Sequence, residues 1–188
     1  MILASPVIFL KPNIGHDNAC TNGGGTSLSL GILGNGYFVV RNPETDAIYA
    51  TQAGQFSVDE NGYLLTGKGA RLQGRMGGVC SAVGDIRINA AGLPLGSIPG
   101  SSMLCYTIDE RGRITVQLSD GSSYMCGQVL LQNFQDPQAL ISEGNDLYSN
   151  LSAAGPLPVL EAPGSNGLGS IESDALELAY DEPANWMN

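Results

Sequence analysis

Two pairs of adjacent carboxylates, Asp59-Glu60 and Asp109-Glu110, are the residues whose types come closest to a catalytic arrangement. A glycosidase uses two carboxyl groups as general acid and base on either side of the bond it cleaves. Neighbouring side chains of an extended chain point to opposite faces, however, and those of a turn point to solvent. Each pair also lies just ahead of a glycine, as turn residues do. We therefore interpret all four carboxylates as solvated turn residues.

Signals for metal, phosphate or nucleophilic chemistry are weak elsewhere. Residues 59–62 match part of a calcium loop but lack its alternating ligands and distal glutamate. His16 is the only histidine, which leaves little from which to build a Ser-His-Asp or Cys-His arrangement. The glycine-rich stretches at 23–25 and 34–36 are not followed by the lysine of a phosphate-binding loop. We predict no catalytic residue, no cofactor-binding residue and no metal ligand.

The four cysteines are widely separated, with no C-x-x-C pair and no adjacent histidine, so they do not follow a zinc or thioredoxin-like pattern. They are Cys20, Cys80, Cys105 and Cys126. An even number permits two disulfides in three pairings. The alternative, for Cys105 and Cys126, is a small buried side chain in a strand. The spacing leaves both states open.

Composition restricts the class of partner. A chain of 188 residues fits one domain and can bury a core without metal or disulfide. Only 14% of the residues are charged and the net charge is −10, so the basic footprint that nucleic acid or an anionic membrane requires is missing. No apolar run reaches the ~20 residues of a membrane span. Residues 1–10 lack the basic start of a secretion signal, so we expect a cytoplasmic protein or one exported without a cleaved signal.

Short β-prone runs between turn residues dominate the chain from residue 28 onward, as in consecutive antiparallel hairpins. One hairpin is used twice, because residues 56–64 and 106–114 share the pattern aromatic-x-β-branched-Asp-Glu-x-Gly-x-aliphatic. We expect the aspartate to close each turn and the glycine to take a left-handed conformation. The predicted strands lie at 28–32, 37–40, 48–51, 56–58, 63–66, 70–74, 86–88, 103–108, 114–118 and 123–134, the last with a bulge or bend at Gly127.

The pattern changes after residue 134. Residues 135–168 are predicted to be loop-rich, with one helical turn at 137–141. From Ser170 the apolar spacing becomes helical, with Ser173 as N-cap and Pro183 as the stop. The sequence thus predicts a mainly β fold, an antiparallel hairpin-rich β-sandwich or barrel-like domain with a short C-terminal helix. Its expected parts are a flexible N-terminal segment at 1–27, the β domain at 28–168, and the helix and tail at 169–188.

Three stretches resemble the flagellar hook and basal-body rod protein family. Within 34–64, Gly-Asn-Gly-Tyr-Phe-Val-Val and then Tyr-Ala-Thr-Gln-Ala-Gly-Gln-Phe-Ser-Val-Asp-Glu-Asn-Gly-Tyr-Leu are similar to the family's G-x-G-F-F-x-V and Y-T-R-x-G-x-F-x-x-D-x-x-G-x-L. The second stretch is 127–148 and the third is 167–177. They follow the family's order over roughly residues 28–179.

The resemblance implies a structural subunit of the flagellar hook or basal-body rod, without catalysis or cofactor, whose β domain packs against copies of itself. It also implies other axial flagellar proteins and the flagellar export apparatus as partners, location in the bacterial flagellum, and export without a cleaved signal peptide. Residues 131–134 and 147–149 favour hook over rod. The family's long terminal helices have no counterpart in this sequence, so we expect a monomer or weak oligomer. Gln52 stands where an arginine is usual.

Two other interpretations remain open. A secreted carbohydrate-binding or glycan-cleaving β domain would need convergent carboxylates or coplanar exposed aromatic rings. Burial of Tyr37, Phe38 and Tyr49, with Asp59 and Asp109 in separate turns, would argue against it. The other interpretation is a non-flagellar relative that kept the fold and lost polymerisation.

Overall fold

The computed structural model describes residues 27–77, 82–88, 100–156 and 160–174. Fourteen strands and a 3₁₀ turn at Pro137–Ala139 form within those ranges. The strands are β1 (Ser27–Leu33), β2 (Tyr37–Arg41), β3 (Ile48–Thr51), β4 (Gln55–Val58), β5 (Leu64–Thr66), β6 (Arg71–Met76), β7 (Val83–Asp85), β8 (Met103–Ile108), β9 (Arg113–Leu118), β10 (Ser123–Val129), β11 (Leu131–Gln132), β12 (Ile141–Gly144), β13 (Leu147–Ser149) and β14 (Ser170–Asp174).

The strands pair antiparallel in one branched sheet. One arm has the order β12-β13-β3-β2-β6-β5-β4-β1-β14, and β11 pairs with β2. The other arm has the order β7-β6-β10-β9-β8, so β6 belongs to both arms. The first residues of β6 pair with β2 and β5, and its last residues pair with β7 and β10. The prediction of a mainly β, hairpin-rich antiparallel fold is confirmed. The described sheet is open, so the barrel-like form of that prediction is not what these strands build.

One hydrophobic core joins the two arms. Phe38 and Val40 of β2 are fully buried, and they share this core with Ile114, Val116 and Leu118 of β9. Along β9 these residues alternate with less buried side chains, as the twofold period of a strand requires, whereas in β2 Val39 between them is buried too. Burying side chains of this size stabilises a fold by about 1.5–3 kcal/mol each. Because both arms contribute to the same core, neither buries its apolar face without the other.

The hairpin predicted to occur twice has the same hydrogen bonds in both copies. Oδ1 of the aspartate accepts from the backbone N–H groups two and four residues later, at 2.9 and 2.7 Å for Asp59 and at 3.0 and 2.9 Å for Asp109. The following glycines, Gly62 and Gly112, have φ of 86° and 74°. Only a residue without Cβ adopts this left-handed region at little cost. The β4–β5 and β8–β9 turns therefore have one design.

Residues 135–168 contain more regular structure than predicted. The 3₁₀ turn lies where one helical turn was expected, but β12 and β13 then form a hairpin. Its turn is made by Asn145 and Asp146, both with positive φ, at 51° and 58°. The bulge expected at Gly127 is present, because the register of β10 against β9 shifts between Met125 and Gly127.

The prediction of a C-terminal helix is wrong for the residues that the structure describes. Ser170–Asp174 form β14, which pairs with β1 along its whole length. Ser173, the predicted N-cap, therefore lies in a strand opposite Leu30. Ile171 enters the core at 3% exposure, and burial against β1 decides the conformation here. The remainder of the predicted helix, and residues 1–26, lie outside the described ranges. No helix within those ranges is long and apolar enough to cross a lipid bilayer.

Candidate functional site

Asp85, the last residue of β7, is the centre of a polar cluster that joins three strands. Arg41 of β2 donates to both of its carboxylate oxygens, from Nε to Oδ1 at 2.9 Å and from Nη2 to Oδ2 at 2.5 Å. Arg71 of β6 donates to Oδ2 at 2.9 Å, and the Gln73 side-chain amide donates to Oδ1 at 2.8 Å. Arg41 also pairs with Asp46 at the solvent side. The carboxylate thus accepts four hydrogen bonds and connects β2, β6 and β7.

Strand register explains why these side chains meet. Arg41 lies opposite Arg71 across the β2–β6 pair, and Gln73 lies opposite Asp85 across the β6–β7 pair. Two like charges directly opposite each other in a sheet are destabilising. The Asp85 carboxylate bonds both guanidinium groups, so it compensates the repulsion that the register creates.

The pKa of Asp85 reflects the same contacts. Burial on its own would raise the pKa of this carboxyl group, but the hydrogen bonds from Arg41, Gln73 and Arg71 outweigh burial and lower the pKa to about 2. The pairing with Asp85 likewise raises the pKa of Arg41 above its ordinary value. A general acid or base works best with a pKa near the working pH. Asp85 is therefore suited to holding strands together and unsuited to proton transfer.

An open cleft of ≈ 560 Å³ lies beside this cluster and is lined by Arg41, Tyr63, Val83 and Arg87 among others. The guanidinium carbon of Arg71 lies 3.9 Å from the Tyr63 ring centroid, and that of Arg87 lies 5.3 Å from it. Cation–π contacts at these distances favour a guanidinium near the ring. Asp85 is the one carboxylate among the described lining residues. The described lining therefore does not contain the carboxylate pair of a glycosidase.

The acidic pairs considered from the sequence lie apart from this cleft. Asp59 and Asp109 are in separate hairpins, where each bonds the backbone of its own turn. Glu60 and Glu110 are exposed. The interpretation of these carboxylates as turn residues is confirmed. The structure does not bring the two pairs together.

The aromatic side chains considered from the sequence, Tyr37, Phe38 and Tyr49, are buried or half-buried. Phe38 is fully buried and meets Phe56 edge-on, with ring centroids 5.4 Å apart. Tyr37 is half-buried and contacts the rings of Phe134 and Tyr148 at 5.4 and 6.0 Å. Tyr49 is half-buried too and packs against the main core. Packing of this kind does not present the coplanar, exposed rings that a carbohydrate-binding platform needs.

The two described cysteines differ in state. Cys105 in β8 is 4% exposed and disulfide-bonded, with its partner outside the described residues. Cys126 in β10 is 8% exposed and free, and burial raises the pKa of its thiol to about 11. The thiolate is the reactive form, so this thiol is held in its unreactive form. Of the two states that the spacing left open, Cys105 is in the disulfide-bonded state and Cys126 is a free buried thiol. Cys20, Cys80 and His16 lie outside the described ranges.

The Asp85 cluster could not be predicted from local sequence, although four side-chain hydrogen bonds between strands meet there. Its donors lie 44, 14 and 12 residues away along the chain, so no local motif marks it. No group of three His, Cys, Asp or Glu residues that could hold a metal ion occurs where the chain is described. The fold and these side-chain contacts define the class of protein. It is an open antiparallel β domain whose carboxylates bond to neighbouring strands and to the backbone of its turns.

Comparison with known proteins finds similarity to flagellar hook and rod proteins. Residues 31–116 match the family model described as the flagellar hook protein FlgE/F/G D1 domain. The flagellar basal-body rod protein FlgG of Bacillus subtilis is 26% identical over 164 residues, which are 87% of this chain and 55% of that protein. The flagellar hook protein FlgE of Escherichia coli is 29% identical over 81 residues, 43% of this chain and 20% of that protein. These matches support a flagellar hook or basal-body rod protein family for this chain, through a domain match that covers just under half of it.

The similarities cover only part of each relative. The chain spans about half the length of the rod proteins that it matches. Among solved structures, the Helicobacter pylori flagellar hook protein FlgE2 aligns with 70% of this chain and 31% of that chain, at 12% identity and a TM-score of 0.31. That score is too low to compare the two folds in detail. The resemblance predicted from the residues is nevertheless confirmed by the family match.

Proposed function

We propose that this chain is a structural subunit of the bacterial flagellar basal-body rod or hook, and that its β domain assembles with copies of itself and with other axial flagellar proteins. The match of residues 31–116 to the D1 domain carries this proposal. The relatives are named as rod and hook proteins. A domain that acts by assembly needs complementary surfaces, and an open sheet with exposed edges offers them.

The rod is the better assignment of the two. The rod protein of Bacillus subtilis aligns over 164 residues of this chain, whereas the hook protein of Escherichia coli aligns over 81. The stretches 131–134 and 147–149, which favoured the hook, have packing roles that either protein could share. Phe134 and Tyr148 both contact Tyr37 in a small second core.

We further propose that the chain performs no catalysis, acts in the flagellum, and is exported through the flagellar export apparatus without a cleaved signal peptide. The similarity to flagellar rod and hook proteins supports the location. The use of Asp59, Asp85 and Asp109 as acceptors from backbone or arginine supports the absence of catalysis, because each carboxylate already has a structural role. The depressed pKa of Asp85 adds to this support.

Deleting the complete gene in the source organism tests the proposal. We expect cells without motility, whose basal bodies end before the rod or hook in electron micrographs. Restoring the gene should restore both, and restoring it without residues 27–174 should restore neither. Motile cells with intact rods and hooks after deletion would contradict the assignment. A loss of growth on a glycan in place of motility would support the carbohydrate alternative.

A further inference from the structure

Charge is divided unevenly along this chain. All eight lysines and arginines lie in residues 1–113, together with eight of the 18 acidic residues. Residues 114–188 contain the other ten acidic residues and no lysine or arginine. The net charge of −10 therefore arises entirely from the second part of the sequence. The first part is therefore neutral overall, and all the basic side chains lie in it.

The register of the strands gathers the cations on one face of the sheet, opposite the core. Along β6, Arg71 and Arg75 alternate with the buried Leu72 and Gly74, so both arginines point away from the core. Cross-strand pairing then extends this face to the neighbouring strands. Arg41 lies opposite Arg71, Arg75 and Arg113 both lie opposite Gln128, and Arg87 pairs with Tyr63 in an isolated bridge. We call the five arginines of this face, Arg41, Arg71, Arg75, Arg87 and Arg113, the arginine face.

The arginine face keeps a surplus of positive charge. Three carboxylates form salt bridges with it, Asp46 and Asp85 in the cluster around β7 and Asp109 with Arg113. Among the described residues, Arg41, Arg71 and Arg113 are the arginines that form these salt bridges. Arg75 makes no salt bridge with a described residue. The ≈ 560 Å³ cleft opens on this face, and Val83 beside it is 43% exposed.

The β12–β13 hairpin offers the opposite charge at the end of the first arm. All four residues of β12 are exposed, and Ile141 keeps 54% of its surface accessible. Glu143 in β12 and Asp146 in the turn are both exposed acidic residues. No lysine or arginine lies in this part of the sequence to neutralise them. We call residues 141–149 the acidic hairpin.

We propose that the arginine face of one copy binds the acidic hairpin of a second copy. Complementary charge attracts the two surfaces and selects their orientation. Tyr63 and Val83 in the cleft give the apolar side chain of Ile141 a place to be buried. Because the two surfaces differ, each copy keeps one of each after pairing, and such a heterologous contact can repeat into a ring or a helical array. This inference rests on the proposed function and names the contact by which the domain would assemble.

Charge reversal on either side, followed by mixing, tests the contact in the full chain. Arg75→Glu with Arg87→Glu reverses the face, and Glu143→Lys with Asp146→Lys reverses the hairpin. We expect each variant alone to self-associate at least about tenfold more weakly than the wild type at low ionic strength. The equimolar mixture should associate about as strongly as the wild type, because the reversed face then meets the reversed hairpin. Sedimentation velocity with a concentration series measures all three.

The design excludes simpler explanations. Lys68→Glu changes the formal charge as much as Arg75→Glu does, but in an exposed turn, and it should leave self-association unchanged. Misfolding cannot account for association that returns on mixing. Equal weakening by Lys68→Glu, a mixture no stronger than its components, or a wild type that does not self-associate would each overturn the inference.

Two further measurements separate the sources of failure. Duplex DNA serves as a probe of general polyanion affinity, and DNA binding without association in the mixture would overturn the inference in favour of a nucleic-acid surface. If gene deletion abolishes rod or hook assembly while the mixture stays monomeric, the contact proposed here fails and the proposed function stands. If deletion leaves motility intact, the proposed function fails whatever the mixture does.

Discussion

Asp85 illustrates how this protein uses its few charged residues. Two arginines and one glutamine converge on its carboxylate, and each comes from a different point along the chain. The residue most important for this cluster could not be predicted from local sequence, because its partners are brought together by register. Asp59 and Asp109 could be predicted, because each bonds the backbone within four residues of itself.

Replacing Asp85 tests its role as a tie between strands. We expect Asp85→Ala to lower the free energy of unfolding by about 2 kcal/mol, since Arg41 and Arg71 would then face each other uncompensated. Asp85→Asn should cost about half as much, because the amide keeps one acceptor oxygen. Asp46→Ala is the control, since the Asp46 side chain is 81% exposed and should contribute less than about 0.5 kcal/mol. Urea denaturation measures all three, and equal effects of Asp85→Ala and Asp46→Ala would contradict the role.

The depressed pKa of Asp85 predicts where acid weakens the fold. The carboxyl group titrates at 3.8 when unperturbed and at about 2 in the folded protein, so its stabilisation is complete above pH 3.8. It is lost as the pH falls towards 2, because protonation breaks the bonds to arginine. The wild type should lose on the order of 1–2 kcal/mol more than Asp85→Asn over this window. Thermal melts at pH 5 and pH 2 compare the two proteins, and parallel losses would show that another group governs the acid response.

At the scale of elements, most strands with alternating buried side chains were predicted, but the strand expected at 86–88 lies at Val83–Asp85 instead. β3 and β8 lie where the sequence placed them, at 48–51 and 103–108. β12 is exposed along its whole length, so its sequence has no apolar alternation to reveal it. β14 was interpreted as a helix because apolar residues recur there at helical spacing. Pairing with β1, far away in the sequence, decides its conformation instead.

Two turn glycines, Gly112 between β8 and β9 and Gly121 between β9 and β10, give a matched test of turn geometry. Gly112 and Gly121 both have positive φ, at 74° and 83°. A Cβ on Gly112 would lie 2.6 Å from the carbonyl oxygen of Val129, whereas a Cβ on Gly121 would meet nothing within 4 Å. Gly121→Ala should therefore cost about 1 kcal/mol, the usual penalty of a left-handed alanine. Gly112→Ala should cost about 1–2 kcal/mol more through the added clash. Chemical denaturation decides, and equal costs would contradict the close packing of β9 against β10 at this turn.

At the scale of the whole molecule, the shared core makes the two arms one cooperative unit. Val40 in the first arm and Val116 in the second are both fully buried in that core. We expect Val40→Ala and Val116→Ala each to lower the stability of a single transition by about 2 kcal/mol. Calorimetry and hydrogen exchange should report the same transition for both variants. Two separate transitions, each sensitive to only one of the variants, would show that the arms fold independently.

Different parts of the molecule have different roles. The interior is used for packing, the carboxylates of the turns and of β7 are used for fastening, and the outward face of the sheet carries the surplus arginines. The proposed assembly therefore depends on the surface of the domain. The family resemblance was readable from the sequence because its motifs coincide with the turns of β2 to β5, which local residues determine. The acidic hairpin and the arginine face depend on register, so they became visible only in the structure.

Intact hook–basal bodies purified from the source organism provide the most direct test of a role in the flagellar axis. Quantitative mass spectrometry should find peptides from residues 31–116 in these particles, in many copies per particle and in fixed proportion to the other axial proteins. Removing the rod and hook by controlled dissociation should remove these peptides with them. Particles that are complete, come from motile cells and contain no such peptides would contradict the assignment of this chain to the flagellar rod or hook.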